Sequence, residues 1–186
     1  MIILVITIGI YVSFLLDIVV WPIPSEASTF ALIKKANNSI TAQKVFLFFV
    51  FILSLVFYLT PLALSIIYLT DGTEIEVTLP AILGILLSIT GRVISILASN
   101  RLRNQTEGIA SDSLFKYSRN PISLGLHVTI LGLMIIFGKW YLWLGLLFYL
   151  INIHIKIKIE ESILQERYGT IYEKYKNSTP RYFLKI

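Results

Sequence analysis

The sequence predicts an all-α integral membrane protein, a five-helix bundle with a helical C-terminal tail, and three observations carry that prediction. Of its 186 residues, 56% are hydrophobic and only 15% are charged, where soluble domains run at about 45–50% and about 25%. The apolar residues gather into five stretches, each close to the roughly 20 residues an α-helix needs to cross a hydrocarbon core. The charged residues lie almost entirely between and beyond those stretches.

The first stretch, 2–21, carries only Asp17. It has no basic leading region and exceeds the 7–15 apolar residues of a secretory signal, so it reads as a retained helix, with Asp17 a capping or pairing residue near its end. The second, 45–70, carries no charge, and the third, 79–98, carries only Arg92. The fourth, 121–138, is uncharged with one histidine, His127, and the fifth, 140–159, is uncharged until Lys156. The pieces between them are too short for a separate soluble unit, so residues 1–186 read as one membrane domain.

The net charge of +5 invites a search for an acidic partner, and sorting the charges by connection answers it. The loop 71–78 holds Asp71, Glu74 and Glu76 without a basic residue, and the turn 138–140 holds only Lys139. The remaining connections hold Lys34, Lys35 and Lys44, then Arg101, Arg103, Lys116 and Arg119, then the seven basic residues from Lys156 to Lys185. Cytoplasmic loops are enriched in Lys and Arg. The alternation therefore predicts an N-terminus outside and a C-terminal tail in the cytoplasm, and it leaves no charge excess to assign to nucleic acid. The sequons at Asn37, Asn104 and Asn177 fall on the same cytoplasmic side and read as chance matches. The absence of cysteine excludes a thiolate metal site, an iron–sulfur cluster and a cysteine nucleophile.

Polar side chains inside a span are costly and mark sites or partners. Ser88, Arg92, Ser95 and Ser99 share one face of the third helix, and Asn120, Ser123 and His127 form a stripe on the fourth. On the fifth, His154, Lys158 and Glu161 share a face, with Asn152, Lys156 and Glu160 beside them. For Arg92, snorkelling to the interface stands beside a role in binding. For His127, an interhelical hydrogen bond stands beside a role in chemistry. Lys156 and Lys158 read as membrane anchors. Glu160 and Glu161, adjacent carboxylates just beyond a span on a basic side, point most clearly to a site.

Glu160-Glu161-Ser-Ile-Leu164, followed by Tyr168-Gly169, Tyr172, Tyr175 and Thr179-Pro180-Arg181, resembles the C-terminal signature of the isoprenylcysteine carboxyl methyltransferase family. Tyr117-Ser-Arg119-Asn120-Pro121-Ile-Ser123-Leu-Gly125 is similar to that family's Arg-His-Pro-x-Tyr-x-Gly segment, and Gly91-Arg92 with Ala98, Ser99 and Asn100 to a region upstream of it. The resemblance spans about residues 88–183. Asn120 stands where the family has histidine, Ser123 where it has tyrosine, and Ser113 where a glycine precedes the segment.

The resemblance implies a membrane methyltransferase that takes S-adenosylmethionine at the cytoplasmic helix ends and a lipophilic or prenylated acceptor from the bilayer, most directly by carboxyl O-methylation of a lipid-linked acid. It assigns catalytic roles to Arg92, as the holder of an anionic head group, and to His127. It assigns cofactor contacts to Arg119, Asn120, Pro121, Ser123, Gly125, Glu160, Glu161 and Tyr172, with Arg119 and Asn120 on the cofactor carboxylate and Glu160 or Glu161 on its ribose diol or ammonium. Three other readings stay open: a phospholipid N-methyltransferase, with His127 as base; an NADPH-dependent reductase like the steroid 5-alpha-reductases; and a scaffold that has lost catalysis through the changes at Asn120 and Ser123.

Overall fold

The computed structural model describes residues 1–19, 41–105 and 108–183. Among them are five α-helices, α1 (Ile2–Val19), α2 (Thr41–Thr70), α3 (Leu79–Arg103), α4 (Pro121–Phe137) and α5 (Trp140–Ser178), with a 3-10 turn at Ser113–Lys116 and no strand. Lys34, Lys35, Asn37 and Lys185 lie outside the described residues, as do the side chains of Asp17 and Lys44. Phe51–Thr70, Leu79–Arg103 and Trp140–Ser178 are long and apolar enough to cross a membrane, while Ile2–Leu16 and Pro121–Phe137 are shorter apolar helices.

Local chemistry sets the helix limits. The Thr78 hydroxyl accepts the Ala81 N–H at 3.4 Å and Pro80 occupies the first turn of α3, a start that leaves no proline N–H to satisfy. α4 opens on Pro121 and stops at Gly138, whose φ of +59° lets its N–H close on the Met134 carbonyl at 2.9 Å. α3 outruns its expected end at 98 by five residues, and α5 runs nineteen beyond 159 as the expected helical tail. Inside α5, Gly169 takes φ +48° and ψ −121°, a backbone that side-chain-bearing residues rarely adopt. After that break Tyr172 and Tyr175 are buried, at 1% and 9% exposure.

Two helix pairs form the bundle. α3 and α4 cross antiparallel along small residues, so closely that a Cβ on Gly84 would stand 2.6 Å from the Gly132 carbonyl oxygen and one on Gly91 2.5 Å from that of Gly125. Backbones approach in this way where side chains are absent, and serines then bond across the gap. Ser88 donates to the Thr129 carbonyl at 3.1 Å and Ser95 to the Ile122 carbonyl at 3.2 Å. α5 packs on α2, where Ser54 donates to the Phe148 carbonyl at 3.2 Å and Phe57 stacks on Phe148. α1 ties the pairs together: Tyr11 donates to the Tyr58 carbonyl of α2 at 2.5 Å, and Arg92 of α3 reaches Ser13. Because α4 leans mainly on α3 and α5 mainly on α2, these consecutive helices leave a groove between them.

Candidate active site at the basic end of the bundle

The C-terminus of α3, the start of α4 and the far half of α5 converge at one end. Arg101 grips Asp112 through two bonds, Nε to Oδ1 at 2.7 Å and Nη2 to Oδ2 at 3.0 Å. The hydrogen-bonded guanidinium holds the Asp112 carboxyl below its ordinary range. The next residue, Ser113, sits at φ +53°, in the left-handed region that glycine prefers. The glycine that the family pattern has at this position therefore has a backbone reason.

From there the chain is stitched to the C-terminal tail. The Tyr175 hydroxyl donates to the Phe115 carbonyl at 2.8 Å, the Arg119 N–H to the Pro180 carbonyl at 2.9 Å, and the Ser118 hydroxyl to the Arg181 carbonyl at 3.1 Å. Asn120 precedes the first turn of α4, yet its side chain makes no cap; Nδ2 donates to the Arg181 carbonyl at 3.2 Å. Residues 179–183 thus form a strap across the loop 115–120.

Under that strap Glu161 is buried between two guanidinium groups. Arg181 donates from Nε to Oε1 at 3.1 Å and from Nη2 to Oε2 at 2.6 Å, and Arg119 Nη2 lies 3.2 Å from Oε1. The bonded carboxylate raises the pKa of Arg181 above its usual value. The Tyr172 hydroxyl nearby is pushed up to about 12, first by burial and then by the Glu161 charge. The Arg119 and Glu161 side chains are 8% and 9% exposed and that of Arg181 is 30% exposed, so one cation and the anion are buried while the second cation keeps contact with the surface. The Arg119 Nε is buried with no hydrogen-bond partner among the described residues. An unused guanidinium donor is costly in a buried site, and an anionic ligand group satisfies it.

Beside this cluster lies the groove between α4 and α5, about 540 Å³, lined by Leu124, His127, Leu150, Ile151, His154, Ile155 and Tyr182. Its walls are aliphatic except for two imidazoles and a phenol. His154 Nδ1 and the Tyr182 hydroxyl are 3.2 Å apart. The His127 ring meets Tyr149 edge-on at 5.3 Å and Tyr182 at 6.3 Å. The aromatic contacts continue inward from Tyr149 to Tyr58 and on to Phe14, and the Tyr149 hydroxyl is buried without a partner among the described residues.

Of the residues expected at the site, Arg119, Asn120, Glu161 and Tyr172 come together, and His127 lines the adjoining groove. Glu160 turns to Lys156, 3.5 Å away. Pro121 is buried as the first residue of α4, Ser123 is buried in its first turn, and Gly125 packs on Gly91 and Ser95. Arg92 is engaged by α1, through Ser13 and the Phe14 ring. Ser118, His154, Arg181 and Tyr182 complete the arrangement without having been singled out as ligand contacts. Pro180-Arg181 in the tail signature and His154 on a polar face are the traces of them in the sequence.

A family model described as phospholipid methyltransferase matches residues 79–171, half of the chain. The match begins at α3 and takes in the 115–120 loop, α4 and Glu161. No curated protein and no solved structure matches the chain. The likeness to the isoprenylcysteine carboxyl methyltransferases thus holds at the level of the membrane methyltransferase superfamily that the two families share.

Proposed function

The chain belongs to the phospholipid methyltransferase family, and on that premise we propose that it moves the methyl group of S-adenosylmethionine to the amine head group of a membrane lipid. The observation that carries this reading is the Arg119–Glu161–Arg181 cluster standing next to an apolar groove that contains two imidazoles. The unused Arg119 Nε fits the cofactor's carboxylate, with the Asn120 amide beside it. Glu161 is the acceptor for the ammonium or the ribose diol. When bound, S-adenosylmethionine supplies a sulfonium-bound methyl group open to in-line attack, so the protein's task is alignment and exclusion of water.

An amine must lose a proton before it attacks, and an imidazole within reach serves as the base. His127 and His154 both line the groove. A carboxylate acceptor needs no base but needs a cation to hold it, and Arg92, the residue expected for that role, is bonded to Ser13 and stacked on Phe14. That engagement favours the amine. Carboxyl O-methylation of an isoprenylcysteine-like or other lipid-linked acid is the second reading, favoured by the Glu160-Glu161 tail signature. In this reading the five helices lie in the membrane with this end in the cytoplasm, a placement supported by the excess of basic residues in its connections.

The test is transfer of radiolabelled methyl from S-adenosylmethionine into a membrane lipid extract, followed by alkali. Label that stays bound to the non-volatile amine head group supports N-methylation, and label released as methanol supports the ester. No label, together with no calorimetric binding of S-adenosylhomocysteine, would sink both. Glu161→Gln and Arg119→Ala each should cost at least about tenfold in that binding, about 1.4 kcal/mol.

A further inference from the structure

Adjacent residues of the strap serve the two halves of the site. Arg181 turns to Glu161, donating two hydrogen bonds to a carboxylate that Arg119 also approaches to 3.2 Å. Tyr182 turns the other way, into the groove, where its hydroxyl meets His154 and its ring meets His127 edge-on. Past it, Phe183 is 61% exposed. The charged anchor of the strap is therefore the Arg181–Glu161 pair, beside the Tyr182–His154 contact, and its other bonds run from Ser118, Arg119 and Asn120 to the carbonyls of residues 180 and 181.

We propose that Tyr182 is a positioning residue for the lipid acceptor, held in the groove wall by the two-point bond between Arg181 and Glu161. The occupant is a bilayer phospholipid. Leu150 and Ile151, about 40% exposed, form one side of the groove on a helix of membrane-spanning composition, so an acyl chain reaches it without leaving the hydrocarbon. The polar groups His154 and Tyr182 then meet the head-group region. The volume of about 540 Å³ lies in the range of small-ligand pockets, enough for a head group and the first methylenes and too small for a whole lipid. Releasing Arg181 frees the neighbouring Tyr182, so a change at the carboxylate cluster is felt in the groove.

The inference rests on the methyltransferase reading only in calling the lipid an acceptor, and its test is binding. Native mass spectrometry of the full chain in detergent, titrated with dioleoyl phosphatidylethanolamine, reads the affinity. Tyr182→Ala should weaken it about tenfold, as loss of a buried aromatic contact does, while Tyr182→Phe stays within about threefold. Arg181→Gln should weaken it as much as Tyr182→Ala, although Arg181 lines no part of the groove. On the same samples Tyr182→Ala should leave calorimetric binding of S-adenosylhomocysteine intact, whereas Arg181→Gln should lose it. Lipid affinity unchanged in Tyr182→Ala overturns the proposal, and so does a loss in Tyr182→Ala that Arg181→Gln does not share. If the natural protein binds no S-adenosylhomocysteine, the methyltransferase reading falls, and the lipid titration alone still decides the role of Tyr182.

Discussion

Arg92 donates from Nε to the Ser13 hydroxyl and from Nη2 to the Ser13 carbonyl, each at 2.6 Å, and its guanidinium lies 4.3 Å from the centre of the Phe14 ring. The bonds join α3, within the family-matched half, to α1, which lies outside it. A guanidinium makes such a two-point contact and an ammonium does not.

Arg92→Leu is therefore expected to lower stability by about 3 kcal/mol, since hydrogen bonds to charged groups contribute about 1.5–3 kcal/mol each. Arg92→Lys should recover little of it. Thermal unfolding in detergent measures both. A variant with unchanged melting and lost lipid binding would instead return Arg92 to the acceptor site.

The α3–α4 crossing gives a second expectation. A Cβ on Gly91 or Gly125 would stand 2.5 Å from the other's carbonyl oxygen, against backbone that has no way to swing aside. Gly91→Val and Gly125→Val should each cost about 3 kcal/mol or more by overpacking. Ser95→Ala, which removes one interhelical hydrogen bond, should cost only about 1 kcal/mol. Similar melting temperatures for all three would refute the close crossing.

Ser113 offers a gain. At φ +53° a side-chain-bearing residue sits in a region that costs about 1 kcal/mol or more, and glycine removes the cost. Ser113→Gly should raise stability by about 1 kcal/mol, seen as a higher melting temperature. A lower one would mean that the glycine's extra freedom in the unfolded chain outweighs the strain.

The Arg101–Asp112 anchor sets a pH dependence. Its hydrogen bond holds the Asp112 pKa below the unfolded value, so the bond's contribution is present above about pH 4 and is lost as pH falls through the lowered pKa. The Phe115 N–H, which donates to the Asp112 carbonyl at 3.0 Å, reports on this turn. Its protection against hydrogen exchange, relative to the intrinsic rate, should hold from neutrality down to about pH 4 and then fall. In Arg101→Gln it should already be low at pH 7. Loss of protection near pH 6 in the natural protein would contradict the assignment.

Hydrophobicity in stretches of span length, and charge sorted by connection, determined the helical elements and their approximate limits, because the cost of burying charge in hydrocarbon is local to each segment. Glu161, Arg119 and Asn120 were legible as residues to look at, since such residues just beyond a span are not explained by the span, whereas Glu160 pairs with Lys156. Tertiary structure decided what each polar face meets. Ser88 and Ser95 share a face with Arg92 in the sequence, yet they serve the α3–α4 contact, because two helices can approach closely only where both are small. Arg92 went to α1 through a partner 79 residues away, which no periodicity within one helix reveals. The placement of Arg181 and Tyr182 depends on a strap that crosses from α5 to the loop before α4, so that neighbours in the chain face a carboxylate on one side and a largely apolar groove on the other.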